Sequence, residues 1–271
     1  MTTKIKVGLV GATGRMGKEV VTLLQAHDSA ALSFAWTHAD SRHLAQDSGI
    51  LANGKENKIL VSASTEAWSQ ADVIIDFGLT DGLEERFKDY RAAGRPVVLC
   101  VTGLSALQQQ QMTELARHIP LLYAANTSVG INLLSALTEK AARVLGRTAD
   151  IEILEAHHTR KLDAPSGTAL LLGEAAARGR GQRLADVAEM NRNAPEHRYE
   201  QGSIGFATLR GGDIVGEHTV YLMVGGERLE LTHRVAKRST FAEGAVRAAC
   251  WLAEQKTAGF YTMKDALGLD A

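Results

Sequence analysis

The densest run of reactive side chains is Glu155-Ala156-His157-His158-Thr159-Arg160-Lys161-Leu162-Asp163-Ala164-Pro165-Ser166-Gly167-Thr168. Two adjacent histidines can exchange protons near neutral pH. Lys161 can neutralise an anion or donate a proton. Pro165 disfavours helix at Ala164, and Ser166 is a good N-cap for the Ala/Leu-rich helix that follows. The amides of Gly167 and Thr168 and the hydroxyls of Ser166 and Thr168 then converge at a helix N-terminus, an anion site suited to a carboxylate. A Ser-Gly-Thr turn is often only a cap, and a His pair is often structural or metal-bound. No third ligand stands at metal spacing, so no metal is expected. The concentration of proton-active and anion-binding groups favours chemistry over a passive loop.

A second constellation is Gly11-Ala12-Thr13-Gly14-Arg15-Met16-Gly17, between a strand-like run and a helix-like run. In that context the first glycine permits a tight turn, the second lets amides approach a pyrophosphate, and the third lets the helix pack closely. The competing reading is a plain strand-to-helix turn that needs glycine for geometry alone. An acid that would bind a ribose 2′-hydroxyl is expected after the second strand. That position is Thr37 or His38, Asp40 comes late, and Arg15 in the loop could meet a 2′-phosphate. NADPH is therefore expected to be accepted, and preferred over NADH.

These groups need elements to hold them. Residues 4–10, 32–36, 59–61, 72–77, 96–101 and 121–124 read as strands, with helices over 16–25 and from Ser105, where Gln108 completes a capping box. Strands alternating with helices imply a parallel sheet, so residues 1–126 read as a Rossmann-like domain. Ser128–Gly146 reads as one amphipathic helix with Leu133, Leu134, Leu137, Ala141 and Val144 on its apolar side. Strands then follow at 150–155, 203–210, 214–224 and 228–235, with a helix at 167–177 and a polar surface loop over 178–201. Gly211-Gly212 reads as the turn after the second of these strands, and Gly225-Gly226 as a hairpin turn. The fold class is thus α/β: a Rossmann-like parallel-sheet N-terminal domain, with a second α+β domain carrying a mixed or antiparallel sheet over 127–238. Helix 240–254 is expected to return to the first domain, so that 239–271 joins 1–126. A hinge is expected near Asn126–Gly130 and Val235–Thr240.

Composition narrows the class further. The chain has 271 residues, 30 basic against 31 acidic side chains, 45% hydrophobic and 23% charged, so it can bury a full core and shows no bias toward nucleic acid or membrane. Cys100 and Cys250 stand far apart with no metal or redox spacing and read as buried thiols in a reducing compartment. The N-terminus lacks the apolar core of a secretion signal, and no run approaches a membrane span. A cytoplasmic location is expected.

The segment EAHHTRKLDAPSGTA closely resembles the substrate-site motif of the 4-hydroxy-tetrahydrodipicolinate reductase (dihydrodipicolinate reductase) family of bacterial lysine and diaminopimelate synthesis. The resemblance continues through GATGRMG, ANTSVGIN (125–132), IGFATLRGGDIVGEHTV (204–220) and TFAEGAVRAA (240–249), and so covers the chain in order. It implies NADH- or NADPH-dependent reduction of a dehydrated cyclic imine dicarboxylate, with hydride delivered to ring C4. It implies that His157 gives and takes a proton, that Lys161 donates one, and that His158, Gly167 and Thr168 bind substrate, beside Ser166. It implies nucleotide contacts at Gly11, Ala12, Thr13, Gly14, Arg15, Met16, Thr37, His38, Cys100, Val101, Thr102, Ala124, Ala125, Asn126 and Thr127. It also implies a homotetramer joined through the sheets of the second domain.

Three places depart from the family pattern. Cys100-Val101 stands where Gly-Thr is usual, Gly78 and Thr80 fall in a DF-T/S-x-P motif, and no acid or arginine follows the second strand. All three touch the nucleotide side. The alternatives are another two-domain amino-acid-precursor dehydrogenase, which does not call for HHTRKLDAPSGT, and an NADPH-binding redox sensor without turnover, which does not call for both His157 and Lys161.

Overall fold

Six residues, Ile5–Val10, form β1, and the computed structural model, which describes residues 3–192 and 198–269, builds a seven-stranded sheet around that strand. The elements in order are β1, α1 (Arg15–Gln25), β2 (Ala30–Trp36), α2 (Ser48–Asn53), β3 (Val61–Ser62), β4 (Val73–Asp76), α3 (Leu83–Ala93), β5 (Val97–Leu99), α4 (Ala106–Leu115) and β6 (Pro120–Tyr123). Then come α5 (Val129–Leu145), β7 (Asp150–His157), α6 (Gly167–Gly179), α7 (Leu184–Val187), β8 (Ala188–Glu189), β9 (Ile204–Arg210), β10 (Gly216–Val224) and β11 (Glu227–Val235). The chain ends with α8 (Ser239–Ala253), β12 (Gly259–Tyr261) and α9 (Met263–Leu267). It divides into two compact units, residues 1–129 with 238–271, and residues 130–237.

In the first unit the strand order is β12-β6-β5-β4-β1-β2-β3, and the pairings are parallel. Successive strand residues feed opposite cores. Val7, Leu9, Val73, Ile75, Val98 and Leu122 pack with α1 and α8. Val10, Ile74, Val97, Leu99 and Leu121 pack with α3, α4 and Trp68. A sheet covered on both faces has no solvent face to keep polar, which is why these strands read as unbroken apolar runs. Gly8 interrupts β1 because Phe34 fills its side-chain space: a Cβ there would lie 2.1 Å from the ring. The expected capping box at Ser105 and Gln108 is present, with both bonds formed. Helices α2, α3 and α9 and strand β12 had no counterpart in the sequence reading.

The loop after β4 is shaped by a buried charge. Asp76 is fully buried and accepts from Arg86 Nε at 3.1 Å, the Tyr90 hydroxyl at 2.8 Å and the Gly78 amide at 2.6 Å. The remaining nitrogens of Arg86 donate to the carbonyls of Leu79 and Asp81. Gly78 is thereby explained: a Cβ would fall 2.8 Å from Asp76 Oδ1 and 3.0 Å from Arg86 Nη2.

The second unit is a mixed five-stranded sheet in the order β11-β10-β7-β9-β8. Strands β7, β9 and β8 run parallel, while β10 is antiparallel to both β7 and β11. Gly225 and Gly226, both at positive φ, make the two-residue turn between β10 and β11, as expected. Strand β9 is not β10's hairpin partner, because β7 lies between them. The stretch expected as a loop over 178–201 instead holds the end of α6, the short α7 and the edge strand β8; its residues 193–197 lie outside the described residues.

Helix α5 buries only part of the expected face, Leu134 with Ala141 packed beside the core. Ile131, Leu134, Ser135, Thr138 and Ala142 point inward, whereas Leu133, Leu137 and Val144 are exposed at 43, 45 and 77%. Small inward residues allow close approach to α6, where a Cβ on Gly179 would lie 2.3 Å from the Glu139 carbonyl and 3.0 Å from Ala142 Cβ. Among the described residues, no helix is long and apolar enough to cross a membrane.

Removing Arg86 while leaving Asp76 strands a buried carboxylate. Arg86→Met should cost about 3–5 kcal/mol in urea denaturation, and a loss below about 1 kcal/mol would contradict this account of the β4–α3 loop.

Candidate active site

The expected nucleotide residues follow β1, β2, β5 and β6, so the sheet order gathers them at its carboxyl edge, where a doubly wound fold binds ligands. The turn after β1 is tight. Gly11 has φ +78°, and a Cβ there would sit 2.8 Å from the Phe77 carbonyl group. The amides of Gly11 and Ala12 both donate to the Trp36 carbonyl, at 3.0 and 3.1 Å, and the Gly14 amide donates to Gly11 O at 3.0 Å. Those amides hold the loop itself. Helix α1 then begins at Arg15 with Gly14 as its N-cap and no side-chain cap, so the amides of its first turn are left for an anion. Gly17 closes the cradle, since a Cβ would lie 2.2 Å from Gly11 O. The geometry fits a dinucleotide pyrophosphate at Thr13 through Met16.

The flanking residues divide by exposure. Thr37 is buried, with its hydroxyl 3.1 Å from that of Thr13, while Arg15, His38 and Asp40 are exposed. Cys100 packs into one core and Val101 into the other, so neither side chain reaches the sheet edge, and only their backbone does. Burial pushes the Cys100 thiol well up, and it stays protonated. Thr102 and Ala125 are exposed, and Ala124 is buried. Asn126 Oδ1 accepts from the Ser128 amide at 2.9 Å, and Thr127 donates to the Phe241 carbonyl at 2.6 Å. Those last two residues therefore shape the turn after β6.

In the second unit, Glu155 and His157 share one face near the end of β7. Register places Thr208 of β9 and His218 of β10 opposite Glu155, and Arg210 opposite His157. Glu155 is fully buried, ion-paired with Arg210 and hydrogen-bonded to His157 Nδ1. Burial works against its charge, yet hydrogen bonds from Arg210 and His157 bring its pKa below the ordinary value. His157 is also lowered: burial disfavours its charge, Glu155 opposes that, and Lys161 and Arg210 add to the lowering. Lys161 Nζ lies 2.8 Å from both oxygens of Asp163, whose backbone carbonyl accepts from Arg210 at 2.6 Å. His158 is half-buried, and its Nδ1 has no hydrogen-bond partner among the described residues.

Ser166 is the N-cap expected from its place before α6. It caps α6, accepting from the Ala169 amide at 3.1 Å, and its Oγ lies 3.1 Å from His218 Nε2. At 1% exposure this hydroxyl is buried. Gly167 and Thr168 supply the first two amides of α6, Gly167 exposed and Thr168 half-buried. Arg210, Thr208 and His218 are brought to Glu155 by the pairing of β9 and β10 with β7, which no local sequence signal encodes. Among the described residues, no group of three or more His, Cys, Asp or Glu side chains could hold a metal.

A parallel doubly wound sheet with a glycine turn, and a second unit with a mixed sheet, make this a two-domain Rossmann-type protein. The chain belongs to the dihydrodipicolinate reductase family: that family's N-terminal model matches residues 5–127 and its C-terminal model residues 130–267. The 4-hydroxy-tetrahydrodipicolinate reductase of Pseudoalteromonas atlantica is 43% identical over 265 residues, 97% of this chain and 99% of the relative. That of Pseudomonas fluorescens SBW25 is 45% identical over 266 residues, with the same two coverages of 97% and 99%. A dipicolinate-bound dihydrodipicolinate reductase from Paenisporosarcina sp. TG-14 shares the fold, with a TM-score of 0.73, 22% identity and coverage of 96% and 98%.

His218 makes stability depend on pH. Burial, and then its neighbour His157, push it down to about 4 from an ordinary 6.5. Its contribution is complete above 6.5 and is lost as pH falls toward about 4, because only the unfolded chain takes the proton. That interval corresponds to about 3 kcal/mol. Urea denaturation from pH 6.5 to 4 should show wild type losing about 3 kcal/mol more than His218→Gln; equal losses would contradict it.

Proposed function

We infer that the chain reduces the dehydrated form of 4-hydroxy-tetrahydrodipicolinate to tetrahydrodipicolinate, in lysine and diaminopimelate synthesis. Unit one binds NADPH or NADH, and unit two binds the cyclic dicarboxylate and carries the oligomer contacts. The observation that carries this reading is one sheet edge holding His157, Lys161 and the start of α6 together, in a member of the reductase family. Two free thiols, one of them buried, suit a reducing, cytoplasmic setting.

When bound, the reduced nicotinamide supplies a hydride to ring C4. This chain's residues do the rest. The amides of Gly167 and Thr168, together with His158 and Lys161, meet the substrate carboxylates at the α6 N-terminus. To do so Lys161 must exchange its partner: the ammonium leaves Asp163 for the substrate anion. Hydride addition leaves negative charge on the ring nitrogen side of the conjugated system. A proton from Lys161 or His157 quenches it. Arg15 and His38 are exposed beside the position where an acid would select NADH, and Asp40 comes too late to fill it, so NADPH is preferred.

The oligomer rests on an apolar groove of about 510 Å³ between α5 and the β10–β11 hairpin, where Leu137, Val144 and Leu229 stand exposed. A second copy that covers this groove leads to the homotetramer. Leu137→Glu should shift the sedimenting species to a smaller one, and an unchanged assembly would remove this face from the interface.

The reaction is tested by coupling the chain to dihydrodipicolinate synthase with pyruvate and aspartate semialdehyde, and following nicotinamide absorbance. Lys161→Ala should lower turnover by about 10²–10⁴-fold and leave nucleotide affinity nearly unchanged. Full turnover by that variant would overturn the role of Lys161. A KM for NADPH far above that for NADH would overturn the preference.

A further inference from the structure

We propose that Glu155 is the positioning residue of this site: it holds His157 as the Nδ1–H tautomer and, through Arg210, ties that ring to the loop carrying Lys161. The proposal rests on the reductase reading, but its geometry stands apart from it. Five donors converge on the one carboxylate. Oε2 accepts from His157 Nδ1 at 2.5 Å and from Arg210 Nη1 at 2.8 Å. Oε1 accepts from the Ser166 amide at 3.1 Å, the Thr208 hydroxyl at 3.1 Å and Arg210 Nη2 at 2.9 Å.

A carboxylate offers about four lone-pair sites, so this one is saturated. Protonating it would displace a donor inside a site that excludes water. Glu155 is therefore a fixed anion rather than the acid or base itself. Fixed in that way, it leaves His157 one way to bond: Nδ1 donates, and Nε2 is left for substrate. The neighbouring strand keeps that nitrogen uncovered, since a Cβ on Gly216 would stand 3.2 Å from Nε2. Arg210 carries the same constraint further. Its guanidinium grips Glu155 through two nitrogens and also donates to the Asp163 carbonyl, two residues beyond Lys161.

The charged and titratable groups facing His157 are Glu155 on its own strand, Lys161 on the following loop, Arg210 on β9 and His218 on β10. Only Glu155 favours the imidazolium. Glu155→Gln removes that support and forces an amide NH₂ against one of the five donors. It should lower kcat at least about 100-fold, with substrate KM within about threefold. It should also shift the limb of the pH–rate profile that reports His157 to lower pH. Glu155→Asp, which keeps the charge, should restore that limb toward the wild-type position. A variant that loses only folded fraction, with the pH profile of its remaining activity unchanged, would overturn the proposal.

A measurement on the wild-type chain decides the matter even where Glu155→Gln does not fold or no turnover is found. Long-range ¹H–¹⁵N spectra of neutral His157 should show a protonated Nδ1 and a bare Nε2. The opposite tautomer would overturn the proposal while leaving the reductase reading intact. Absence of reductase turnover alongside the expected tautomer would overturn the reading and not the geometry.

Discussion

The carboxylate of Glu155 lies wholly out of water, and a charge in that position persists only where donors surround it. Those donors come from β7, β9 and the N-cap residue of α6. One ionised group thus fixes the register of adjacent strands against the start of a helix. A slip of one residue along β7 would send Glu155 and His157 to the other face together. The working edge of the second unit is for this reason rigid at His157 and Ser166. It is more open at Lys161, whose partner Asp163 is exposed.

The first unit uses the same device for a different end. Asp76 closes β4 as Glu155 sits near the close of β7, and Arg86 answers it as Arg210 answers Glu155. There the buried pair organises backbone: the carbonyls of Leu79 and Asp81 and the amide of Gly78 take their places around it. Beside it, Gly11 and Gly17 let the β1–α1 turn fold on itself. The departures at Cys100 and Val101 do not obstruct this edge, because both side chains leave it for the two cores.

What the sequence made legible was local. The glycine turn, the Ser105–Gln108 capping box and the Gly225-Gly226 hairpin each depend on a few consecutive residues, and each formed as its chemistry dictates. Arg210 and His218 were not legible, because they meet Glu155 and Ser166 across sequence separations of 55 and 52. Nothing near either residue announces that pairing. The capping role of Ser166 is local and legible, whereas its contact with His218 is not. Helix α5 misled in another way. It is apolar on two sides, and the choice of buried side was made by how closely the small residues Ser135, Thr138 and Ala142 let it pack. Strand β9 lies beside β7 rather than β10, a crossover that no turn signal encodes.

The most direct test of the account follows the hydride itself. The chain would be supplied with freshly made 4-hydroxy-tetrahydrodipicolinate and reduced nicotinamide dinucleotide deuterated at its transferable position, and the product examined by NMR and mass spectrometry. The account predicts tetrahydrodipicolinate carrying one deuterium at ring C4, formed only when substrate is supplied. Nucleotide that binds but stays reduced, or oxidation that leaves no deuterium on the ring, would contradict it.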